Sequence, residues 1–162
     1  MPLRLYRVCR AKHARLDGYG AKLVGGRWNS PGRAVVYMTE SVSLAILENL
    51  VHMAREDFPT GYVVVSATVP ELVSVCTEAQ LRSIEYLHLY PGVTLPLLSA
   101  TSQQLGDYWL ESGMSAVLKV ASSVVPTEHN FLLNPEHSDF GRIEVDEAIL
   151  FRFDSRLFGL TS

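Results

Sequence analysis

The chain has few cysteines, no dominant charge sign and no long apolar run, and each absence narrows what it can be. Cys9 and Cys76 lie far apart, without a CxxC and without histidines at ligand spacing, so no metal site is expected and a reducing compartment suffices. The 14 Lys and Arg against 17 Asp and Glu leave a net charge of -3, and no basic cluster in the sequence is dense enough to offset it. Direct binding of DNA or RNA is therefore not expected. The opening MPLRLYRVCRAKHARL is basic but lacks the apolar stretch of a signal peptide. Later apolar runs are all broken by charge or proline before membrane-spanning length. The expectation is a cytoplasmic protein with no membrane association. Repeats, low-complexity tracts and linkers are also missing, so residues 1–162 read as one domain.

Several familiar sites are excluded by the same route. GYGAKLVGG has glycines but neither the GK[ST] of a Walker loop nor the spacing of a Rossmann turn. No G-x-S-x-G elbow and no H-E-x-x-H occurs. His13, His88, His129 and His137 have no partner spacing and read as structural.

Hydrophobic residues make up 48% of the chain, which is high for a small domain and suits a surface covered by a partner. LRLYRVC alternates like a strand, DGYGAKLVGG reads as a glycine-rich loop, and AVVYM is a short strand. Thr39 or Ser41 is placed to cap a helix running to Ala54. YVVVSATV, β-branched and ended by Pro70, reads as a central strand. SATSQQLGDYWLES has helical spacing and a terminating Gly113, and SAVLKVASSVV, RIEVDE and ILFRFD add late strands. Strands mixed with two or three helices, without regular βαβ alternation, give an α+β class.

The helix from Ser41 carries the most informative pattern. Val42, Leu44, Ile46, Leu47, Leu50, Val51 and Met53 cover more than half of its circumference. The remaining stripe of Ala45, Glu48, Asn49 and His52 has no Lys or Arg, unlike an ordinary solvated face. One carboxylate one turn from an imidazole, flanked by aliphatics, is either a solvent-facing residue on a buried helix or a group aimed into a cleft. VASSVVPTEHNFLLNP poses a similar choice. Its Ser122, Ser123, Asn130 and Asn134 either satisfy their own backbone as a loop or serve a site.

Taken together, these segments resemble the RES domain, the toxin half of bacterial RES/Xre toxin-antitoxin pairs. The resemblance is carried by LYRV with Arg7, GGRWNSPGRAVVYMTESVSLAILENLVH with Arg27, Tyr37 and Glu48, LGDYWL, LKVASSVVPTEHNFLLNPEHSDF with Ser122, and FRFDSRLF. The chain departs from the family pattern at Ala121, where proline is usual before the serine, and at Ser138, where proline is usual after His137. The first departure leaves Ser122 and Ser123 both open as the family serine. Ser122 is preferred because it keeps the family distance to Asn130.

The resemblance implies a fold similar to ADP-ribosyltransferase domains, a mixed β-sheet core with flanking helices and an NAD cleft. It implies a toxin that hydrolyses NAD to nicotinamide and ADP-ribose, with NAD as substrate and no further cofactor. It also implies an Xre-type helix-turn-helix antitoxin that covers the cleft, with the complex stoichiometry open and a higher-order assembly among the options. ADP-ribose transfer to a protein and a non-catalytic antitoxin-binding module are the alternatives. The implied catalytic set is Glu48, Arg27 and Ser122, and the implied substrate-binding set is Arg7, Arg27, Tyr37, His52 and Asn130. Cleaving the nicotinamide–ribose bond builds positive charge on the sugar, which a carboxylate at Glu48 stabilises. Guanidinium groups at Arg27 and Arg7 suit pyrophosphate, Trp28 a floor beneath them, and Tyr37 a ring contact with nicotinamide.

Overall fold

The computed structural model describes every residue except 55, 57, 85–86, 91–92, 96–98 and 161–162, with the backbone alone for 87–90 and 93–95. Its strands are β1 (Leu3–Arg10), β2 (Val36–Thr39), β3 (Tyr62–Val69), β4 (Val75–Thr77), β5 (Leu87–Tyr90), β6 (Val93–Leu95), β7 (Val117–Ala121), β8 (His129–Leu133), β9 (Glu144–Val145) and β10 (Ile149–Phe151). Its α-helices are α1 (Tyr19–Val24), α2 (Val42–Leu50), α3 (Glu78–Arg82) and α4 (Ser102–Ser112). The main sheet runs β10-β3-β1-β2-β8-β7-β4, with β9 also on β3, and β5 pairs with β6 separately. Only β4 and β7 are parallel neighbours in this sheet, so the class is α+β with a mixed sheet and flanking helices, as expected.

Successive residues of the inner strands point to opposite faces, and both faces are covered. Val36, Met38, Phe131 and Leu133 enter one apolar cluster with Leu5 and Ala67. Val35, Leu118 and Leu132 enter the other, against Leu105 and Trp109 of α4. A strand buried on both faces has no polar-apolar alternation. That is why the run HNFLL, left open above between a loop and a site segment and not read as a strand, forms β8 in the interior of the sheet.

Three other expectations change. DGYGAKLVGG is not all loop: α1 forms between Gly18 (φ 69) and Gly25 (φ 75), so two of its glycines mark the ends of a helix. The helix from Ser41 ends at Leu50 instead of Ala54, with the Ser41 hydroxyl capping it through the Leu44 amide. YVVVSATV is paired on both edges but lies toward one end of the sheet. α4 ends at Gly113 as read, in the left-handed region, and begins at Thr101 in a reciprocal capping box that the sequence reading had not named.

Candidate functional site

Three strands and one helix converge on Glu48. Asn130 is the second residue of β8, opposite Thr39 of β2 on one side and Val120 of β7 on the other. Its Nδ2 donates to Glu48 Oε1 at 2.6 Å. The Ser122 hydroxyl donates to the same oxygen at 2.8 Å. That hydroxyl also accepts from the Val124 and Val125 amides at 3.1 and 3.0 Å, so its lone pairs are used and its proton is aimed at Glu48. Ser122 is buried while Ser123 is exposed on the cleft wall, so Ser122 is the serine that meets the carboxylate. Asn130 cannot be flipped without setting its oxygen against Glu48, and in this orientation its buried Oδ1 has no hydrogen-bond partner among the described residues.

α2 is held in register by Asn49, whose amide donates to the carbonyls of Val8 on β1 and Ala45 within the helix, both at 2.8 Å. Ala45, Glu48, Asn49 and His52 all line one cleft, as the lysine-free stripe suggested. The aliphatic remainder of the helix behaves differently from expectation. Leu44 is buried, but Leu47 and Val51 on either side of Glu48 are 41% and 57% exposed. One side of α2 packs on an aromatic cluster that includes Tyr62 and Phe153, and the opposite side is open.

The GGRWN segment is built by shape instead of by side-chain grip on its cation. Tyr37, in the middle of β2, accepts from the Trp28 amide at 3.1 Å and donates to Asn29 Oδ1 at 2.7 Å. Asn29 is fully buried and its Nδ2 donates to the carbonyls of Ala21 and Arg33, tying the loop to α1. A β-carbon on Gly26 would lie 2.7 Å from the Tyr37 hydroxyl, and one on Gly106 of α4 only 1.7 Å from the Trp28 carbonyl oxygen. At Gly26 the bonded Tyr37 hydroxyl and Asn29 amide fill the space, and at Gly106 the Trp28 backbone does, so neither position admits a side chain without a shift. Trp28 is buried against Trp109 and Leu105 and forms part of the cleft floor. Burial pushes the Tyr37 phenol up to about 12, so it stays a neutral donor. Tyr37 therefore shapes the loop, and its hydroxyl is already committed.

The cleft has a volume of about 710 Å³ and contains Arg7, Tyr37, Arg27, His52, Glu48 and Asn130 in its wall. It also brings in Lys12, His13 and Arg15, which the sequence reading did not assign to a site. Four cations, Arg7, Lys12, Arg15 and Arg27, thus face two carboxylates, Asp17 and Glu48, on a chain of net charge -3. None of the four is in an ion pair among the described residues. Folding thus makes the local basic cluster that the sequence was not expected to form, by bringing Arg7, Lys12, Arg15 and Arg27 to one cleft. The spacing of R-A-K-H-A-R was the available signal.

Arg33, which follows Pro31 and Gly32 in the same segment, pairs with Asp107 at 3.7 Å and Glu111 at 3.3 Å on α4. His129 and His137 are structural, as expected. The first sits 3.3 Å from Glu40, and the second accepts from the Asp139 amide at Nδ1 while donating from Nε2 to the Gly113 carbonyl. The His88 side chain lies outside the described residues. Cys9 and Cys76 are free, and burial raises both thiols above their usual range.

The model of the RES domain matches residues 4–154. The chain belongs to the RES domain family. Among its relatives is Toxin Res of Photorhabdus laumondii, 37% identical over 156 residues that cover 94% of this chain and 96% of the relative. Toxin Res of Yersinia enterocolitica is 37% identical over 161 residues, 96% of this chain and 99% of that protein. The Prs ADP-ribosylating toxin of a Sphingobium species is 34% identical over 142 residues, 88% and 86% of the two chains. In fold, the chain is similar to one in the crystal structure of the M. tuberculosis MbcT-MbcA toxin-antitoxin complex. The TM-score is 0.64 at 17% identity, over 98% of this chain and 88% of that one. The RES chain described here is thus a homologue of toxins. At its two departures from the family pattern, Ala121 stays in the ladder opposite His129, and the residue before Ser138 staples the loop through its ring. Among the described residues, no helix is long and apolar enough to cross a membrane.

Proposed function

We propose that this RES protein is the toxin of a toxin-antitoxin pair and that it hydrolyses NAD at the nicotinamide–ribose bond. The observation that carries the reading is the Glu48 carboxylate, fixed through one oxygen by Ser122 and Asn130, in a cleft that also holds the cations of Arg7, Lys12, Arg15 and Arg27. Oε2 is left for substrate, where it stabilises the positive charge that grows on C1′ and the ring oxygen of the ribose. As the C–N bond breaks, its electron pair passes to the pyridinium nitrogen and nicotinamide leaves neutral. Water then bonds to C1′ and releases a proton to solvent, giving ADP-ribose. Arg27 and Arg7 hold the pyrophosphate, since guanidinium groups without ion-pair partners keep their donors available. Ser122 is a positioning residue, because its proton is committed to Glu48 and its oxygen lone pairs, which a nucleophile would need, accept from the Val124 and Val125 amides.

ADP-ribose transfer to a protein uses the same cleft with a different acceptor, and the name of the Sphingobium relative favours it. A non-catalytic module is disfavoured because Arg27, Glu48 and Ser122 are all retained and the last two are bonded. The similarity to a chain from a toxin-antitoxin complex supports an antitoxin partner. That partner is proposed to be of Xre type and to close the cleft in the cytoplasm.

The test mixes purified chain with NAD alone and follows free nicotinamide and free ADP-ribose. Equal accumulation of both, lost in Glu48→Gln, is the expected result. Nicotinamide release only after a protein acceptor is added, with ADP-ribose found on that acceptor, would replace hydrolysis by transfer. No release under either condition would overturn both.

A further inference from the structure

Among the described residues, Tyr19 and Phe58 are the exposed aromatics, and only Phe58 has a ring partner, packing edge-to-face on Phe158. Tyr19 is 61% exposed, belongs to no apolar cluster, and its hydroxyl makes no hydrogen bond among the described residues. It nevertheless lines the cleft, as do Ala21 and Val24 of the same helix. Its backbone is not loose: the Tyr19 amide donates to the Asp17 carboxylate at 3.0 Å. Gly18 beside it passes so close to the sheet that a β-carbon there would lie 2.7 Å from the Val35 amide nitrogen.

These contacts place Tyr19 relative to the rest of the cleft. β2 and the residue before it act as a ruler. At the Val35 end stand Gly18 and Tyr19. At the middle, Tyr37 holds the Trp28 amide and so sets Arg27. At the Thr39 end, the ladder partner Asn130 holds Glu48. Four residue steps of extended chain lead from Val35 to Thr39, about 13 Å at strand rise. A free aromatic face, a cation and an oriented carboxylate therefore follow one another along the cleft. A dinucleotide presents a base, a pyrophosphate and a reacting riboside in that order.

Resting on the NAD reading above, we propose that Tyr19 is the stacking platform for the adenine ring of the substrate. It makes this chain select the dinucleotide over a mononucleotide carrying the same nicotinamide riboside. The backbone that carries the ring is fixed and the ring is solvent-facing, so stacking covers apolar surface that folding leaves bare. The contact lies far from the bond that breaks and is the same in ground and transition states, so it lowers KM without changing kcat.

The experiment measures nicotinamide release from NAD and from nicotinamide mononucleotide by the wild type, Tyr19→Ala and Tyr19→Phe. The expected result is a KM for NAD about tenfold higher in Tyr19→Ala, recovered in Tyr19→Phe because the ring remains. No such rise is expected with the mononucleotide, which has no adenine to stack. A KM for NAD in Tyr19→Ala that matches wild type, or an equal rise for both substrates, would overturn the proposal. Calorimetric binding of ADP-ribose to the same three proteins separates this from failure of the hydrolysis reading. If wild type releases no nicotinamide but binds ADP-ribose about tenfold tighter than Tyr19→Ala does, the platform stands and hydrolysis fails. Equal affinities, or no binding to wild type, sink the platform.

Discussion

Glu48 and Arg27 occupy the same cleft but are held in opposite ways. The carboxylate is gripped by its own atoms, with two donors on one oxygen. Arg27 is exposed and makes no ion pair among the described residues, while the backbone around it is locked by Tyr37, Asn29 and the close passage of α4 beneath Trp28. The difference matches the tasks proposed for the two groups. A charge that stabilises a transition state gains from being fixed in advance, because reorganising it during reaction would add to the barrier. A cation that captures a phosphate needs only a fixed base and a free arm, since its fork geometry does the selecting.

Substitutions at the two regions should separate them. Glu48→Gln keeps the shape and removes the charge, so NAD cleavage should fall about 10³-fold. Its melting temperature should stay level or rise, as happens when an active-site charge is removed. Near-normal nicotinamide release by this variant would remove Glu48 from the mechanism. Gly106→Ala attacks only the loop end. Its β-carbon would meet the Trp28 carbonyl at 1.7 Å, backbone that has nowhere to go. A loss of about 3 kcal/mol in urea unfolding is expected, with the same substitution at Gly141, where the space is open, costing far less.

The loop's dependence on Tyr37 also sets an alkaline limit. An unfolded tyrosine releases its proton near 10, whereas burial holds the folded phenol to about 12. Above pH 10 the unfolded state binds fewer protons, so stability falls as pH rises toward 12, and below pH 10 the contribution is intact. Wild type should lose about 2 kcal/mol across that window that Tyr37→Phe does not lose, as read by denaturant midpoints at each pH.

Smaller effects sharpen the contrast between gripped and free groups. Arg27→Lys should raise the KM for NAD about tenfold, because an ammonium cannot copy a two-pronged contact. Arg33→Lys should not, since Arg33 is already engaged with Asp107 and Glu111. Ser122→Ala should lower kcat about fivefold with little change in KM, the loss of one hydrogen bond that orients Glu48. A change in KM alone would mean that Ser122 meets substrate directly.

Much of this was legible in one dimension where a single element carries the signal. The stripe of Ala45, Glu48, Asn49 and His52 follows from helical period and the absence of Lys and Arg, and all four line the cleft. The start of α2 and the end of α4 follow from Ser41 and Gly113, because capping is a contact between near neighbours. β8 was missed because three consecutive apolar residues show no period, and only a strand covered on both faces needs such a run. α1 was missed because its flanking glycines read as loop until their positive φ values mark helix ends.

By itself, the sequence determined the mixed α and β elements, the face of α2 that carries Glu48, and the family to which the chain belongs. Tertiary structure alone decided that Ser122 and not Ser123 reaches Glu48, that Asn130 shares the same oxygen, and that Arg33 is spent on α4. It also decided that Lys12, Arg15 and Tyr19 stand in the cleft wall. The physical reason is range. Helical period and capping act over three or four residues, whereas Ser122 lies 74 positions from Glu48 and Asn130 lies 82. Only the registers β2 to β8 and β7 to β8 bring those groups within reach of one oxygen atom.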